Sequence, residues 1–245
     1  MKLIVIGSNS AGNSYALDAG GEILLLEAGC KFRQVQKAIG YRADKVVGCL
    51  LTHVHGDHAG CIGEYTTHGI HAYGNADIAE KKEIPDTQYS EVQHGNTYRI
   101  GCFSVTPFDV AHDVPCFGYL IHHPSMGILL FVTDTYKIPM NIVGVNHFLI
   151  EANYFDRFLK SNLREGKIDH AQVNRIMLSH MSLDYTIQYL CDCKAEQSAR
   201  TITLCHLSSR HSDPDLFKQA VESAFGIPCN IASKDLVVEL NKEVI

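Results

Sequence analysis

A short histidine- and aspartate-rich segment constrains the fold of this chain more than any other feature. It reads HVHGDH and continues the apolar run VVGCLLTH (46–53), which is typical of a strand with a buried face. In extended chain His53 and His55 point to the same side, whereas Asp57 and His58 follow at a predicted loop-to-helix turn and point to an adjacent spot. One cation beside each pair would create a two-metal site.

A dinuclear site needs more ligands than this segment supplies, and the chain offers them where other predicted strands end. His112 follows FSVTPFDVA, Asp134 ends GILLFVTD and His206 ends TITLCH. We assign the ligands in two groups bridged by Asp134, namely His53, His55 and His112 for one metal and Asp57, His58 and His206 for the other. Imidazole and carboxylate ligands without thiolates suit zinc, so we expect two Zn²⁺ per chain, with Mn²⁺ or Fe as alternatives.

The order of periodic segments predicts an α/β fold. Aliphatic runs bounded by glycine, such as LIVIG (3–7) and EILLLEAG (22–29), predict strands, and helical spacing predicts helices over 57–68, 169–177 and 182–193. Two strand-rich halves, each followed by helices, favour two mixed β-sheets packed face to face with helices outside. No linker or repeat interrupts the sequence, so we expect one domain over 1–245.

Composition excludes several classes of function. The chain is 46% hydrophobic, but no apolar run approaches the ~18 residues that span a membrane. The apolar run at the N-terminus is too short for a signal peptide, so we expect a cytoplasmic protein. The nine cysteines are an odd number, which favours reduced thiols over a disulfide framework. A net charge of −6 argues against a large basic face, which makes long nucleic acid an unlikely partner.

Six motifs carry a family resemblance that covers nearly the whole chain. They are LLTHVHGDHAG (50–60), AHDVPCFGYLI (111–121), TDT (133–135), IEANY (150–154), SHMS (179–182) and CHLSSRH (205–211). In order and spacing they resemble the motifs of tRNase Z, within the phosphodiesterase branch of the metallo-β-lactamase-fold hydrolases. The opening GSNSAGN (7–13) is similar to that of YycJ-type exonucleases. The resemblance implies an αββα sandwich, two Zn²⁺ between the sheet edges and the ligand set assigned above.

The resemblance also implies a catalytic pair beside the metals. His180 matches a histidine that protonates the leaving oxygen, and Glu151 matches the acidic residue that orients it; we count Asp57 as catalytic as well as a ligand. A structural role at the start of a helix, before the capping Ser182, is the alternative for His180. A loop after His206 is expected at the mouth of the site, where three residues would hold phosphate oxygens: Ser208, Ser209 and Arg210.

Two departures from the family pattern narrow the function. Glu27 lies where most relatives have an aspartate that orients the histidine-rich loop, which is the HVHGDH segment (53–58). The separation of 54 positions from His58 to His112 leaves no room for the arm by which tRNase Z grips tRNA, and the added nuclease domain of the RNase J type is missing. We therefore do not expect pre-tRNA processing.

These features predict a metal-dependent phosphodiesterase for a small substrate, a 3′,5′-cyclic mononucleotide. The compact design resembles the phage anti-Pycsar phosphodiesterases, dimeric enzymes that open cyclic pyrimidine nucleotides such as cUMP and cCMP and also accept other cyclic nucleotides. This likeness implies a homodimer. We expect aromatic side chains to hold the base: Tyr154 and Tyr119, together with Phe117, Tyr136 and Phe155.

Three alternatives stay open at this point. A YycJ-type 5′–3′ exonuclease on single-stranded nucleic acid would use stacking and a charged groove. A thioester or β-lactam hydrolase would not need the His180–Glu151 pair. A binding protein that keeps the fold without metals is disfavoured, because every expected ligand is present.

Overall fold

Short, largely buried aliphatic segments form the strands of two sheets in the computed structural model, which describes residues 1–241. The strands are β1 (Lys2–Asn9), β2 (Gly12–Asp18), β3 (Ile23–Leu26), β4 (Val46–Leu50), β5 (Ala72–Gly74), β6 (Tyr89–Glu91), β7 (Tyr98–Ile100), β8 (Phe103–Val110), β9 (Cys116–His123), β10 (Gly127–Val132), β11 (His147–Glu151), β12 (Thr201–Cys205), β13 (Cys229–Ile231) and β14 (Val237–Glu239).

Each sheet is mixed. The first has the order β14-β1-β2-β3-β4-β5-β6, and the second has the order β13-β12-β11-β10-β9-β8-β7. In the first sheet β3, β4, β5 and β6 run parallel to one another. In the second sheet β10, β11, β12 and β13 do the same. The carboxyl ends of parallel strands meet at one edge, where α/β folds place their ligands.

Helices connect the parallel strands and cover the outer faces. They are α1 (Phe32–Ala38), α2 (Gly56–Ala59), α3 (Ile62–Thr67), α4 (Ala76–Lys81), α5 (Asp156–Arg164), α6 (His170–Ser179), α7 (Leu183–Asp192), α8 (Ala195–Ser198) and α9 (Pro214–Phe225). Side-chain caps mark several starts: Asn75 begins α4, Ser182 begins α7, and Asp213 precedes the proline that begins α9.

Three apolar layers hold the architecture together. Side chains of both sheets, such as Leu17 and Phe131, meet in a central core. On the outer face of the first sheet, residues such as Phe32 of α1 pack against the strands. On the outer face of the second sheet, residues such as Phe217 of α9 do the same. Burial of these layers stabilises the fold, and the predicted αββα sandwich of two mixed sheets is confirmed.

The main differences from the sequence-based prediction lie at breaks in periodicity. The predicted helix over 57–68 is two short helices, α2 and α3. Residues 98–110 form two strands, β7 and β8, joined by a turn at Gly101, which has a φ of 55°. Helix α5 was not predicted, because its sequence DRFLKSNLR is polar and buries only Leu159. Among residues 1–241, no helix is long and apolar enough to cross a membrane.

Candidate metal centre

The predicted ligands come together where strands of both sheets end. The histidine-rich loop follows β4, His112 follows β8 and Asp134 follows β10. Glu151 is the last residue of β11, and His206 directly follows β12. Because β10, β11 and β12 are parallel, their carboxyl ends deliver three of these side chains to one place.

Two groups of donor atoms match the two predicted metal positions. In the first group, His53, His55, His112 and Asp134 each place a ligand atom within 4.8 Å of the others. In the second group, Asp57, His58, Asp134 and His206 do the same. Asp134 is common to both groups: its Oδ2 lies 3.6 Å from His53 Nε2 and 3.0 Å from His58 Nε2. This is the placement that a bridging carboxylate requires.

The buried charges of this cluster shift the pKa values of its members. Burial lowers the pKa of His53 well below its usual value, and it also lowers the pKa of His112, so both rings favour the neutral form that a metal ligand needs. Burial opposes ionisation of Asp134, but the charges of His206 and His58 outweigh that effect and lower its pKa. Burial also opposes the charge of Asp57, and the adjacent imidazoles of His206 and His58 lower its pKa.

The donor set fits divalent cations. Nε2 of His53 and Nε2 of His206 are buried and lack a hydrogen-bond partner among the described residues. Their nearest carboxylate contacts are at 3.6 Å, to Asp134 and Asp57. A buried polar atom without a partner is costly, and so is a group of buried carboxylates without a counter-charge. Cations between these atoms would give the nitrogen atoms a partner and the carboxylates a counter-charge. The imidazole and carboxylate ligands suit zinc.

Buried polar side chains fix the orientation of the histidine-rich loop. Thr52 Oγ1 donates to Glu27 Oε1 and lies 2.9 Å from His53 Nδ1, so that His53 Nε2 faces the cluster. Glu27 Oε1 is also 3.5 Å from His58 Nδ1. Glu27 is fully buried, and it contacts the loop as expected for the aspartate of relatives. Such supporting contacts set the tautomer and direction of ligating histidines.

Three residues of this site have strained backbones. Glu27, Asp134 and His206 adopt positive φ angles of 65°, 50° and 54°, which non-glycine residues rarely take. Each lies just after a strand, where the chain must turn its side chain into the cluster. Strain of this kind persists only where the surrounding structure over-determines it, and it is common at functional sites.

The predicted catalytic pair lies directly against the second group of ligands. His180 Nδ1 is 2.8 Å from Glu151 Oε1, and the same oxygen is 2.9 Å from His206 Nδ1. The backbone N–H of Met181 donates to Glu151 Oε2 at 3.0 Å and holds the carboxylate in place. Burial opposes the charge of His180, but the charge of Glu151 and its hydrogen bond raise the pKa of the imidazole. The side chain of His180 is 21% exposed, so it reaches solvent.

Sequence reasoning missed Asn13. Its Nδ2 lies 3.0 Å from His58 Nε2, 3.4 Å from Asp57 Oδ2 and 3.3 Å from Asp57 O. A side chain at Gly29 would collide with the Asp57 carbonyl oxygen, so only glycine lets the chain after β3 pass this close to the loop. The signal was present, because Asn13 ends the GSNSAGN motif.

Asp113 was also missed. Its Oδ1 lies 3.1 Å from His112 Nε2 and 3.6 Å from His55 Nε2, and its side chain is 61% exposed. Asp113 therefore borders the first group of ligands from the solvent side. Its position next to His112 in the sequence was the available signal.

Most of the aromatic residues expected to hold a base are buried instead. Tyr119 is fully buried between the sheets, and its hydroxyl donates a hydrogen bond to Leu51 O at 2.6 Å. It therefore holds the chain between β4 and the histidine-rich loop. Tyr154 packs with Leu159, and burial raises its pKa to about 12. These placements correct the expectation that the two tyrosines line a base pocket. Of the five aromatic candidates, Tyr136 is exposed, at 41%.

The loop after His206 is half-buried to exposed, as a binding loop requires. Ser208 donates its backbone N–H to Asn153 O and accepts from the N–H of Arg210, which anchors the loop. Arg210 lines a cavity together with His180. Ser209 is exposed. The loop thus reaches the catalytic pair through Arg210.

Comparison with protein families decides the classification of this chain. Residues 8–147 match the model of the metallo-beta-lactamase superfamily. The chain belongs to this superfamily. The matched segment contains the histidine-rich loop, His112 and Asp134. The chain therefore has the fold of the metallo-hydrolases, with a candidate metal site in its His/Asp cluster.

Individual relatives include nucleases. The exodeoxyribonuclease WalJ of Streptococcus pneumoniae is 26% identical over an alignment of 232 positions that covers 88% of this chain and 84% of that protein. The structure of Zn²⁺-bound PqqB from Methylobacterium extorquens has a TM-score of 0.77 at 15% identity and covers 98% of this chain and 100% of its own. Human tRNase Z, short form, has a TM-score of 0.68 at 17% identity over 98% and 99% of the two chains. The two structures show the shared fold.

Proposed function

We propose that this protein is a metal-dependent phosphodiesterase. The observation that carries the proposal is the 2.8 Å contact between His180 Nδ1 and Glu151 Oε1, immediately beside the second group of ligands. Hydrolysis of a phosphodiester needs a proton donor for the departing alkoxide, which is a poor leaving group. Hydrolysis of a thioester or a β-lactam would not need this pair as a proton donor.

The metal site supplies the other half of the chemistry. His53, His55, His112 and Asp134 would hold one cation, and Asp57, His58, His206 and Asp134 the other. When bound, two divalent cations lower the pKa of water and neutralise charge on phosphate oxygens. Zn²⁺ suits these ligands, and Mn²⁺ is the alternative.

The protein's own residues position the proton. Glu151 accepts a hydrogen bond from His180 Nδ1, so the other ring nitrogen of His180 is directed away from Glu151 and carries the transferable proton. The carboxylate also stabilises the protonated imidazole. The leaving oxygen would therefore lie on the solvent-facing side of His180. The scissile phosphorus would lie between this oxygen and the two groups of ligands that share Asp134.

Our first candidate substrate is a 3′,5′-cyclic mononucleotide, including cUMP and cCMP. Two features support a small substrate. The net charge is −6, and between His58 and His112 the chain forms compact elements, from α3 to β8, that stay within the sandwich. A cyclic mononucleotide carries one charge and needs no basic track. We also retain the homodimer and the cytoplasmic location as proposals.

Our second candidate is a 5′–3′ exonuclease acting on single strands. It is favoured by the relative WalJ, an exodeoxyribonuclease that matches 88% of this chain. In this case the substrate would extend beyond the catalytic pair along the protein surface, and its further phosphates would meet cationic side chains.

A side-by-side turnover assay tests the proposal. The Zn²⁺-loaded protein and a chelator-treated control are incubated with cyclic UMP, CMP, AMP and GMP and with end-labelled single-stranded DNA and RNA. Ring opening with intact oligonucleotides would establish the first candidate, and stepwise shortening with intact cyclic nucleotides would establish the second. Absence of metal-dependent turnover on all of them would reject a phosphodiesterase.

A further inference from the structure

Two adjoining cavities extend from His180 along the surface. The cavity beside His180 has a volume of about 210 Å³ and is lined by residues of α6, including Gln172 and Arg175. The outer cavity has a volume of about 450 Å³ and is lined by residues that include Lys167. Arg210 and two other residues line both cavities. Because they share these lining residues the two cavities adjoin, and the pair is here called the basic groove.

The basic groove is cationic although the whole chain is acidic. Lys167, Arg175 and Arg210 line it, and no aspartate or glutamate is among its described lining residues. Within residues 1–241 neither arginine forms an ion pair with a carboxylate, whereas Lys167 pairs with Glu165 at 2.7 Å. Two guanidinium groups are therefore available for an anion. Arginine binds phosphate in a bidentate manner.

The backbone around Arg210 is fixed in advance. Asn162 Nδ2 donates to Arg210 O at 3.0 Å, and the same amide group lies 2.9 Å from His211 Nδ1. The backbone N–H of Phe155 donates to His211 O at 2.9 Å. These contacts join the loop after β12 to α5. Arg210 thus starts from a held backbone, which lowers the entropic cost of binding.

A neighbouring cavity, lined by residues of α5, has a different charge pattern from the basic groove. The cavity lined by Arg157, Lys160 and Arg164 also contains Asp156 and Asp184. Its cations face carboxylates on the same surface, and Lys160 pairs with Asp156 at 3.6 Å. Arg157 is exposed and therefore offers a matched control for the groove arginines.

We infer that the basic groove binds a second phosphate group of the substrate, one nucleotide removed from the phosphate held at the metal centre. This inference rests on the proposed phosphodiesterase function and favours its second candidate substrate, a linear nucleotide chain, over the cyclic mononucleotide. A cyclic mononucleotide has a single phosphate, which must lie between the ligand cluster and His180, so it could not occupy the groove. Three cationic side chains line the groove, which suits the few phosphates at the end of a strand better than a long duplex and agrees with the charge of −6.

Binding of a small bisphosphate tests the groove directly. Thymidine 3′,5′-bisphosphate, thymidine 5′-phosphate and thymidine 3′-phosphate are titrated into the Zn²⁺-loaded protein by calorimetry. The bisphosphate should bind at least about tenfold more tightly than either monophosphate, as expected for a charge-assisted contact. Arg175→Ala and Arg210→Ala should each remove most of that advantage, and Arg157→Ala should keep it, with metal content equal in all variants.

The outcomes separate the groove from the proposed function. Equal affinities for the three ligands, or an advantage that survives both groove substitutions, would overturn the second-phosphate site. Hydrolysis of bis(4-nitrophenyl) phosphate is measured in parallel, since that ester contains only the scissile phosphate. Its metal-dependent hydrolysis with equal affinities would reject the groove alone. Absence of hydrolysis of both this ester and the nucleotide substrates of the turnover assay would reject the phosphodiesterase whatever the affinities are.

Discussion

The strand ends that carry the ligands and the hairpin of α5 and α6 are built on different principles. At the strand ends His53, His58 and Glu151 are fully buried and held by side-chain contacts. In the hairpin, α6 has no buried residue and α5 has only Leu159. The hairpin touches the sandwich through a small cluster around Tyr154.

Under the proposed function, this difference gives the two regions separate roles. A metal centre needs side chains held in one geometry, which buried strand ends provide. Substrate selection needs exposed groups on an element that can vary without disturbing the core, which the hairpin provides. His180 lies at the junction, because it ends α6 and contacts Glu151 at the strand end.

The largest effect is expected from Asp134→Ala. Asp134 belongs to both groups of ligand atoms, so its removal should release metal and abolish activity together. Metal analysis after dialysis and a turnover assay check this result, with Asp109→Ala, an exposed aspartate on β8, as the control. Two retained ions in Asp134→Ala would contradict the bridging role.

A separation of chemistry from metal binding is expected in His180→Ala. The variant should lower kcat by roughly 10²-fold or more with unchanged metal content, because it loses the proton donor but no ligand. His170→Ala, at the exposed start of the same helix, should behave as the wild type. Activity within about threefold of wild type in His180→Ala would show that the role is structural.

A smaller effect on the metal centre is expected in Asn13→Ala. Its amide contacts Asp57 and His58 but none of the first group of ligands, so the variant should weaken binding of one ion of the two by roughly tenfold. Competition with a metal-binding dye measures both affinities. Asn9→Ala, an exposed asparagine of the same motif, should leave both unchanged. Equal weakening of both ions would argue against a local positioning role.

The smallest effect on catalysis is expected from a pair of core substitutions that compares the two regions directly. Leu159→Ala should loosen the hairpin alone, with faster amide exchange over 156–179 and unchanged metal content, because its apolar cluster is small. Leu149→Ala removes a fully buried side chain between the sheets and should lower the free energy of unfolding by about 2–5 kcal/mol. A uniform rise in exchange in Leu159→Ala would show that the hairpin and the sandwich unfold as one unit.

Much of the candidate site could be predicted because residue types and strand ends are local features. The sandwich of two mixed sheets and the grouping of His53, His55 and His112 followed from alternation and from ligands after apolar runs. Helix α5 was missed because a helix that lies on the surface has a weak apolar stripe. Tyr119 was misplaced because alternation gives two faces of a strand but does not say which face meets the other sheet.

The sequence by itself determined the chemistry of this protein: which ligands are present, in what order, and that zinc suits them. The tertiary structure decided which distant groups share one site. Asn13 and Asp57 are 44 residues apart and meet only through the packing of β2 against the loop after β4. Likewise, Arg175 and Arg210 line one groove because α6 and the loop after β12 converge there. Spacing along the chain cannot reveal such meetings, since they depend on strand pairing and on which side of each element is buried.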